Sequence, residues 1–197
     1  ALLSARLDAL SAQERAVIEP ASVIGVQFPG PAVRQLVPEP VKPTVASHLE
    51  TLRSKQFIQP TTLSGEDDAY RFHHVLVRDA TYGSLLKRAR ATMHEEFVEW
   101  AERVNAERGR ETEFEEILGY HLEQAVRYRS ELGPLDDHGR DLARRAANRL
   151  SSAGIRALDR SDFPAAANLL QRTMVLLDPR DPARLEETAK INDADSV

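Results

Sequence analysis

The chain has 197 residues, 42% hydrophobic and 29% charged, which leaves room for one large or two small domains with a real core and excludes wholesale disorder. A formal net charge of −5 disfavours a nonspecific nucleic-acid binder, although a local basic face stays open. The absence of cysteine removes any disulfide framework or thiolate metal site and fits a reducing, cytoplasmic setting.

Aromatic residues are scarce and Ala, Leu, Arg and Glu abundant, so helices are favoured over sheets. A first helical element is expected over residues 2–10. Ser11-Ala12-Gln13-Glu14 then reads as a capping box, opening a helix with Leu10, Val17, Ala21 and Ile24 on one stripe. Pro20 removes a backbone donor from that helix and predicts a kink or a split, and Gly25 predicts its stop. Pro29-Gly30-Pro31 opens a short helix through Leu36 and Val37. Pro38, Pro40 and Pro43 punctuate the next connection, with Pro43 suited to the first turn of a helix carrying Val45, Leu49 and Leu52.

Phe57-Ile58-Gln59 and Tyr70-Arg71-Phe72 read as two strands of a hairpin, joined through the polar turn Ser64-Gly65-Glu66-Asp67-Asp68. Everything after residue 75 reads as helical. One helix is expected over 75–86. A second, over 87–107, carries Met93, Phe97, Trp100 and Val104 and ends at Gly109. Thr112-Glu113-Phe114-Glu115 is a further possible capping box, before a helix with Phe114, Leu118, His121, Leu122 and Ala125 facing inward. Gly133-Pro134 breaks that helix.

Residues 139–179 read as a helix–turn–helix with alanine-rich faces. Leu150, Gly154, Phe163, Ala166 and Leu170 stand at the relative spacings of a tetratricopeptide repeat, with Pro179 one place late. Gly154 and Ala166 are small enough for two helices to approach closely. Such a hairpin cannot bury its own face and needs neighbouring helices. Residues 180–197 show weak periodicity in Leu185 and Ile191, with a frayed end expected. The predicted fold is therefore mainly α. A winged-helix domain, three short helices and a hairpin, spans residues 1–86, and a tetratricopeptide-like helical-repeat domain spans 87–197.

No phosphate-cradling Gly-rich loop and no nucleophile elbow occurs, so no enzyme activity is expected of this chain alone. His94-Glu95-Glu96-Phe97 lacks the second histidine of a zinc helix motif, and no metal site is expected. No apolar run approaches the roughly 18 residues of a membrane span. The opening residues lack a signal-peptide pattern. The chain also starts without Met, as a piece of a longer protein would.

His73 and His74 stand where a strand runs into a helix. Strand alternation would put His74 with Tyr70 and Phe72, and His73 with Arg71. His74 also falls at a helix N-terminus, where free amides and the helix dipole favour an anion. Its imidazole there either donates to a phosphate oxygen from another domain or simply caps the helix.

His74-Val75-Leu76-Val77-Arg78-Asp79 resembles the Met-His-Asp motif region of signal-transducing ATPases of the apoptosome and plant disease-resistance type. Phe72-His73-His74 is similar to the Phe-x-His that opens the same helix in bacterial relatives. The offsets of Leu76, Arg78 and Asp79 fit from His74 and not from His73. Val75 departs from the pattern, which has an acidic residue directly after the histidine. Arg6-Leu7-Asp8-Ala9-Leu10, Ala21-Ser22-Val23-Ile24-Gly25 and Tyr120-His121-Leu122-Glu123-Gln124-Ala125 resemble segments C-terminal to the ATPase domain in bacterial class III adenylate/guanylate cyclase regulators and related transcriptional activators. Ala165-Ala166-Ala167-Asn168-Leu169-Leu170 resembles the first repeat of their tetratricopeptide array.

The resemblance implies a non-catalytic relay. A winged helix docks on an ATPase domain of the same chain, His74 touches the β-phosphate of its bound ADP, and the repeats hold a protein partner. ADP and ATP would be cofactors of the parent protein, and the effector a nucleotidyl cyclase or a transcription regulator. The alternative is a DNA-binding winged helix, whose recognition helix over residues 44–56 offers His48, Arg53 and Lys55, with Lys42 just before. Glu50 among them and the acidic Gly65-Glu66-Asp67-Asp68 wing weigh against it, so nucleic acid is not the expected partner.

Overall fold

A computed structural model describes residues 2–63, 68–109 and 114–177. The chain divides into two compact units, residues 1–100 and 101–197, and the division falls inside helix α6 (Lys87–Arg108). Among the described residues the protein is mainly helical, with one small antiparallel sheet.

The first unit begins with α1 (Leu2–Asp8) and α2 (Ala12–Ile24). The capping box at the start of α2 is present: Glu14 N donates to Ser11 Oγ at 3.2 Å, and Ser11 N donates to Glu14 Oε2 at 2.7 Å. Glu14 is only 5% exposed, and its other oxygen accepts from Lys55 Nζ at 2.6 Å. Lys55 follows α4 (Val45–Ser54), so one carboxylate both starts α2 and holds the end of α4 against it.

Pro20 does not split α2, which runs as a single helix. The turn after Pro20 is secured from its far end. Gly25 N donates to Ala21 O at 3.3 Å, and Arg78 Nε donates to Ser22 O at 2.8 Å, a cap supplied from a distant helix. Val17, Ile18, Ala21 and Val23 lie at or near zero exposure and form the core with Phe28, Val33, Leu49, Leu52, Ile58 and Phe72.

The sheet contains a strand that the sequence reading lacks. β1 (Gln27–Pro29) pairs antiparallel with β3 (Ala69–Phe72), which also pairs antiparallel with β2 (Ile58–Pro60), in the order β1-β3-β2. Phe28 is fully buried and packs on both Tyr70 and Phe72, with ring centroids 6.0 and 5.5 Å away. α3 (Gly30–Leu36) follows β1 directly, and the proline-rich connection is a 3-10 helix, Glu39–Thr44. α5 (Val75–Ser84) follows β3 after two residues and is anchored by Val77, at 0% exposure. The turn over residues 64–67 lies outside the described residues.

The buried stripe of α6 differs from the predicted one. Ala91, His94, Phe97, Val98, Ala101 and Asn105 are buried, while Met93, Trp100 and Val104 are half-buried. Of the expected stripe Phe97 alone is buried, and Val98, two alanines, Asn105 and a hydrogen-bonded histidine make up the rest of the face. His94 Nε2 lies 2.8 Å from Tyr82 Oη. Gly109 ends the helix at φ +63°, a left-handed turn that glycine adopts freely.

The second unit contains α7 (Glu115–Ser130), α8 (Asp137–Asp159) and α9 (Phe163–Leu176). Leu118, Leu122 and Ala125 of α7 are buried, as are Leu142, Ala146 and Leu150 of α8 and Ala166 and Leu170 of α9. Asp136 caps α8 through Gly139 N at 2.7 Å, and Asp162 caps α9 through Ala165 N at 3.2 Å. Ser161, at φ +60°, turns the chain between α8 and α9, and the Asp162 amide closes back on Ala157 O at 2.9 Å.

Small residues set the helix spacing. A methyl group on Gly119 would lie 2.8 Å from Leu150 Cδ2, and one on Gly154 would lie 2.9 Å from Leu170 Cδ2. Arg172 of α9 reaches Glu123 of α7 with three contacts, Nη2–Oε2 at 2.6 Å, Nε–Oε1 at 3.1 Å and Nε–Oε2 at 3.2 Å. The possible capping box at Thr112-Glu113, Pro179 and the terminal segment with Leu185 and Ile191 lie outside the described residues.

Two substitutions test this packing. The Lys55 hydrogen bond holds the Glu14 carboxyl below its usual range, outweighing the opposing effect of burial. A depressed folded-state pKa contributes stability that is fully present above the ordinary value of 4.5 and is lost as pH falls through the lowered value. Glu14→Gln should therefore lower the melting temperature at pH 7, and the gap to the parent chain should narrow on acidification from about pH 5 downward. A gap that is constant with pH would remove the ion pair from the account. Gly154→Val should cost about 1–3 kcal/mol by overpacking against Leu170, measured by urea unfolding.

Candidate functional site

β3 ends at Phe72, so strand alternation does not carry through to the histidines. His73 and His74 are both exposed, with ring centroids 4.8 Å apart, and Phe72 beside them is buried. The His73 amide donates to Phe57 O at 2.9 Å, which ties this corner to the start of β2. His74 is the N-cap residue of α5, with φ −136° and ψ 136°. Its carbonyl accepts from Val77 N at 3.0 Å, but its side chain makes no capping hydrogen bond. The imidazole is thus held at a helix start without serving as its cap.

The first turn of α5 adds two features. Helix geometry leaves its leading amides without intrahelical acceptors, and the positive end of the dipole lies there. Val75 and Leu76 are 52% and 62% exposed, beside the histidine. Val26, 43% exposed, joins the same end of the sheet, where its carbonyl accepts from Phe72 N at 2.9 Å. Two exposed imidazoles and three exposed apolar side chains therefore share one corner of the first unit. Singly exposed apolar residues are ordinary, but a group of them beside uncapped helix amides is a surface suited to being covered.

Arg78 and Asp79, the basic and acidic residues one turn later, are structural here. Arg78 Nη1 meets Asp79 Oδ1 at 3.2 Å, and its guanidinium lies over the Tyr82 ring at 4.7 Å while Nε caps α2. Arg90 covers the same ring at 4.8 Å.

The residues considered for DNA contact are brought onto or next to α4, but their charges are already answered. Lys42 pairs with Glu39 at 2.5 Å, Arg53 Nε bonds Glu50 Oε1 at 2.9 Å, and Lys55 pairs with Glu14. His48 is half-buried. A face whose cations are each bound to a carboxylate offers little net charge to a phosphate backbone. Among the described residues no group of three or more His, Asp or Glu side chains is placed to hold a metal ion, and no helix is long and apolar enough to cross a membrane.

Val75 and Leu76 entered the sequence reading only as motif positions, and their exposure was not expected. They stand in a run of three apolar residues at a helix start, and only Val77 turns inward. The burial of Asn105 on α6 was not expected either. Its helical spacing from Val98 and Ala101 is the signal that places it on a buried face.

No family model and no solved structure matches the chain. A 93-residue stretch, 47% of the chain, is similar at 31% identity to an uncharacterized protein of Rhizobium meliloti (strain 1021). That stretch is 9% of the relative, so the relative is on the order of a thousand residues long and the chain spans a small part of it.

The α4 face can be tested directly. In a gel-shift titration against random-sequence duplex, binding should be weak, with no steep salt dependence, because few phosphates are neutralised. Nanomolar affinity that falls sharply with salt would establish α4 as a recognition helix.

Proposed function

We propose that this chain is a non-catalytic regulatory segment of a multidomain, signal-transducing ATPase, working in the cytoplasm. Its first unit is a winged helix that docks on the ATPase domain, and its second unit begins a tetratricopeptide-type array that holds a protein partner. The helix and strand order of the first unit, with a β1-β3-β2 sheet after two helices and before α5, is compatible with a winged helix. The close α8–α9 packing at Gly154 is what a tetratricopeptide hairpin requires. The similarity to a small part of a protein of roughly a thousand residues fits a segment that works within a larger chain.

One observation carries the reading: His74 is exposed, makes no cap, and stands at the start of α5 beside exposed Val75 and Leu76. The apolar pair gives a second domain something to bury, and the imidazole gives it a donor for an oxyanion. His74 cannot hold a nucleotide alone. ADP would be bound by the ATPase domain, with its β-phosphate within reach of the imidazole when the two domains are closed. Bridging by ADP favours that closed form, and exchange for ATP shifts the population away from it. The output would be a nucleotidyl cyclase or a transcription regulator.

In the full-length parent, His74→Ala should raise basal output and speed ADP release. Leu76→Asp should do the same by opening the contact without touching the imidazole. Unchanged output together with unchanged ADP retention in both variants would refute the relay.

A further inference from the structure

We propose that a cavity in the first unit, between α1, α2 and α5, receives a lysine side chain from a second polypeptide, with Glu19 as the partner of its ammonium. The cavity encloses about 140 Å³. Small-molecule sites run to roughly 300–1,000 Å³, so the space suits one side chain better than a whole metabolite.

Its walls divide by chemistry. Leu7, Leu10 and Ile18, each less than a tenth exposed, line it beside Ala80 and offer apolar contact to an alkyl stem. Glu19 lines it half-buried, and among the described residues its carboxylate makes no hydrogen bond or ion pair. Burial pushes the Glu19 carboxyl up from its usual range, against the opposing effect of Arg15. A carboxylate desolvated in this way gains from a cation that completes it. Arg15 does not fill that place, because its Nη2 meets Asp8 Oδ1 at 3.4 Å and the two charges answer each other. Glu19 is left as the uncompensated charge of the lining.

Two hydroxyls join it. Thr81 donates to Val77 O at 2.8 Å and Ser84 to Thr81 O at 2.7 Å, so each hydroxyl oxygen keeps lone pairs for an incoming donor. One carboxylate and two hydroxyls suit an ammonium, which carries three donors. The planar fork of a guanidinium, with five donors, matches neither that set nor a cavity of this size. The cavity uses neither His74 nor the helical repeats, so the inference goes beyond the nucleotide relay and stands or falls apart from it.

The 197-residue chain, labelled with 15N, is titrated at constant ionic strength with Nα-acetyl-lysine methylamide, its arginine counterpart, n-butylammonium and n-butanol. The backbone amides of Glu19, Thr81 and Ser84 should shift saturably with the lysine compound in the millimolar range. The arginine compound should bind more weakly, n-butylammonium no more tightly, and n-butanol should leave the amides unmoved. Glu19→Gln should weaken the lysine compound by roughly tenfold, and Ser84→Ala, at an exposed position, by about threefold. Both variants should melt within about 2 °C of the parent chain. Lysine binding that survives Glu19→Gln unchanged would overturn the proposal, as would an arginine compound that binds equally well or the absence of any shift. Tighter binding of n-butylammonium would make this a site for free amines and overturn it too. Lowered melting temperatures in both variants would assign Glu19 and Ser84 to the fold, with the same consequence.

Discussion

Arg78 anchors α5 through a guanidinium that reaches the last turn of α2. Helix ends carry carbonyls without donors and the negative end of the dipole, so a cation placed there is stabilised twice. Arg78 Nε on Ser22 O, the Tyr82 ring under its plane and Val77 buried beside it fix where α5 sits on α2. His74 is one helical turn before Arg78. The cap that holds Arg78 therefore also decides that His74 emerges at the surface. The same contact secures the last turn of α2, which lies beyond Pro20.

The same logic of answered charges runs through both units. Lys42, Arg53 and Lys55 in the first and Arg145, Arg149 and Arg172 in the second are each matched to a carboxylate. Exposed pairs of this kind add little to stability. Their larger consequence is for recognition, because a surface with its cations neutralised does not steer toward a polyanion. Glu14 differs from the exposed pairs. Its carboxylate is nearly buried and joins a capping box to a distant lysine, so it bears directly on how α2 and α4 pack.

Much of the architecture was legible in the chain, for reasons that are local. Ser11 and Glu14 announce a helix start by chemistry that acts over three residues, and Gly25 and Gly109 announce stops. Gly154 opposite Leu170 was readable because close helix packing needs a missing side chain at that spacing. Three things were hidden. β1 is three residues long, too short to show alternation, and is made a strand only by its pairing with β3. The buried face of α6 follows Ala91, Ala101 and Asn105, whose small or polar character conceals them beside Trp100 and Met93. The orientation of His74 depended on where β3 stops, which hydrogen bonding to β1 and β2 decides and the letters of residues 70–74 do not.

Local rules fail at the start of α5. Val75 and Leu76 expose apolar surface at a helix start, where an amphipathic pattern would turn such residues inward. Their neighbour Val77 is fully buried, so the helix itself divides this run of three between core and surface. Other helix starts follow local chemistry: Ser11, Asp136 and Asp162 each accept from a backbone amide three residues on. Sequences that satisfy their local preferences almost everywhere tend to break them where another molecule supplies the missing half. Exposed apolar area beside an imidazole that makes no cap is what such a break leaves at this corner of the first unit.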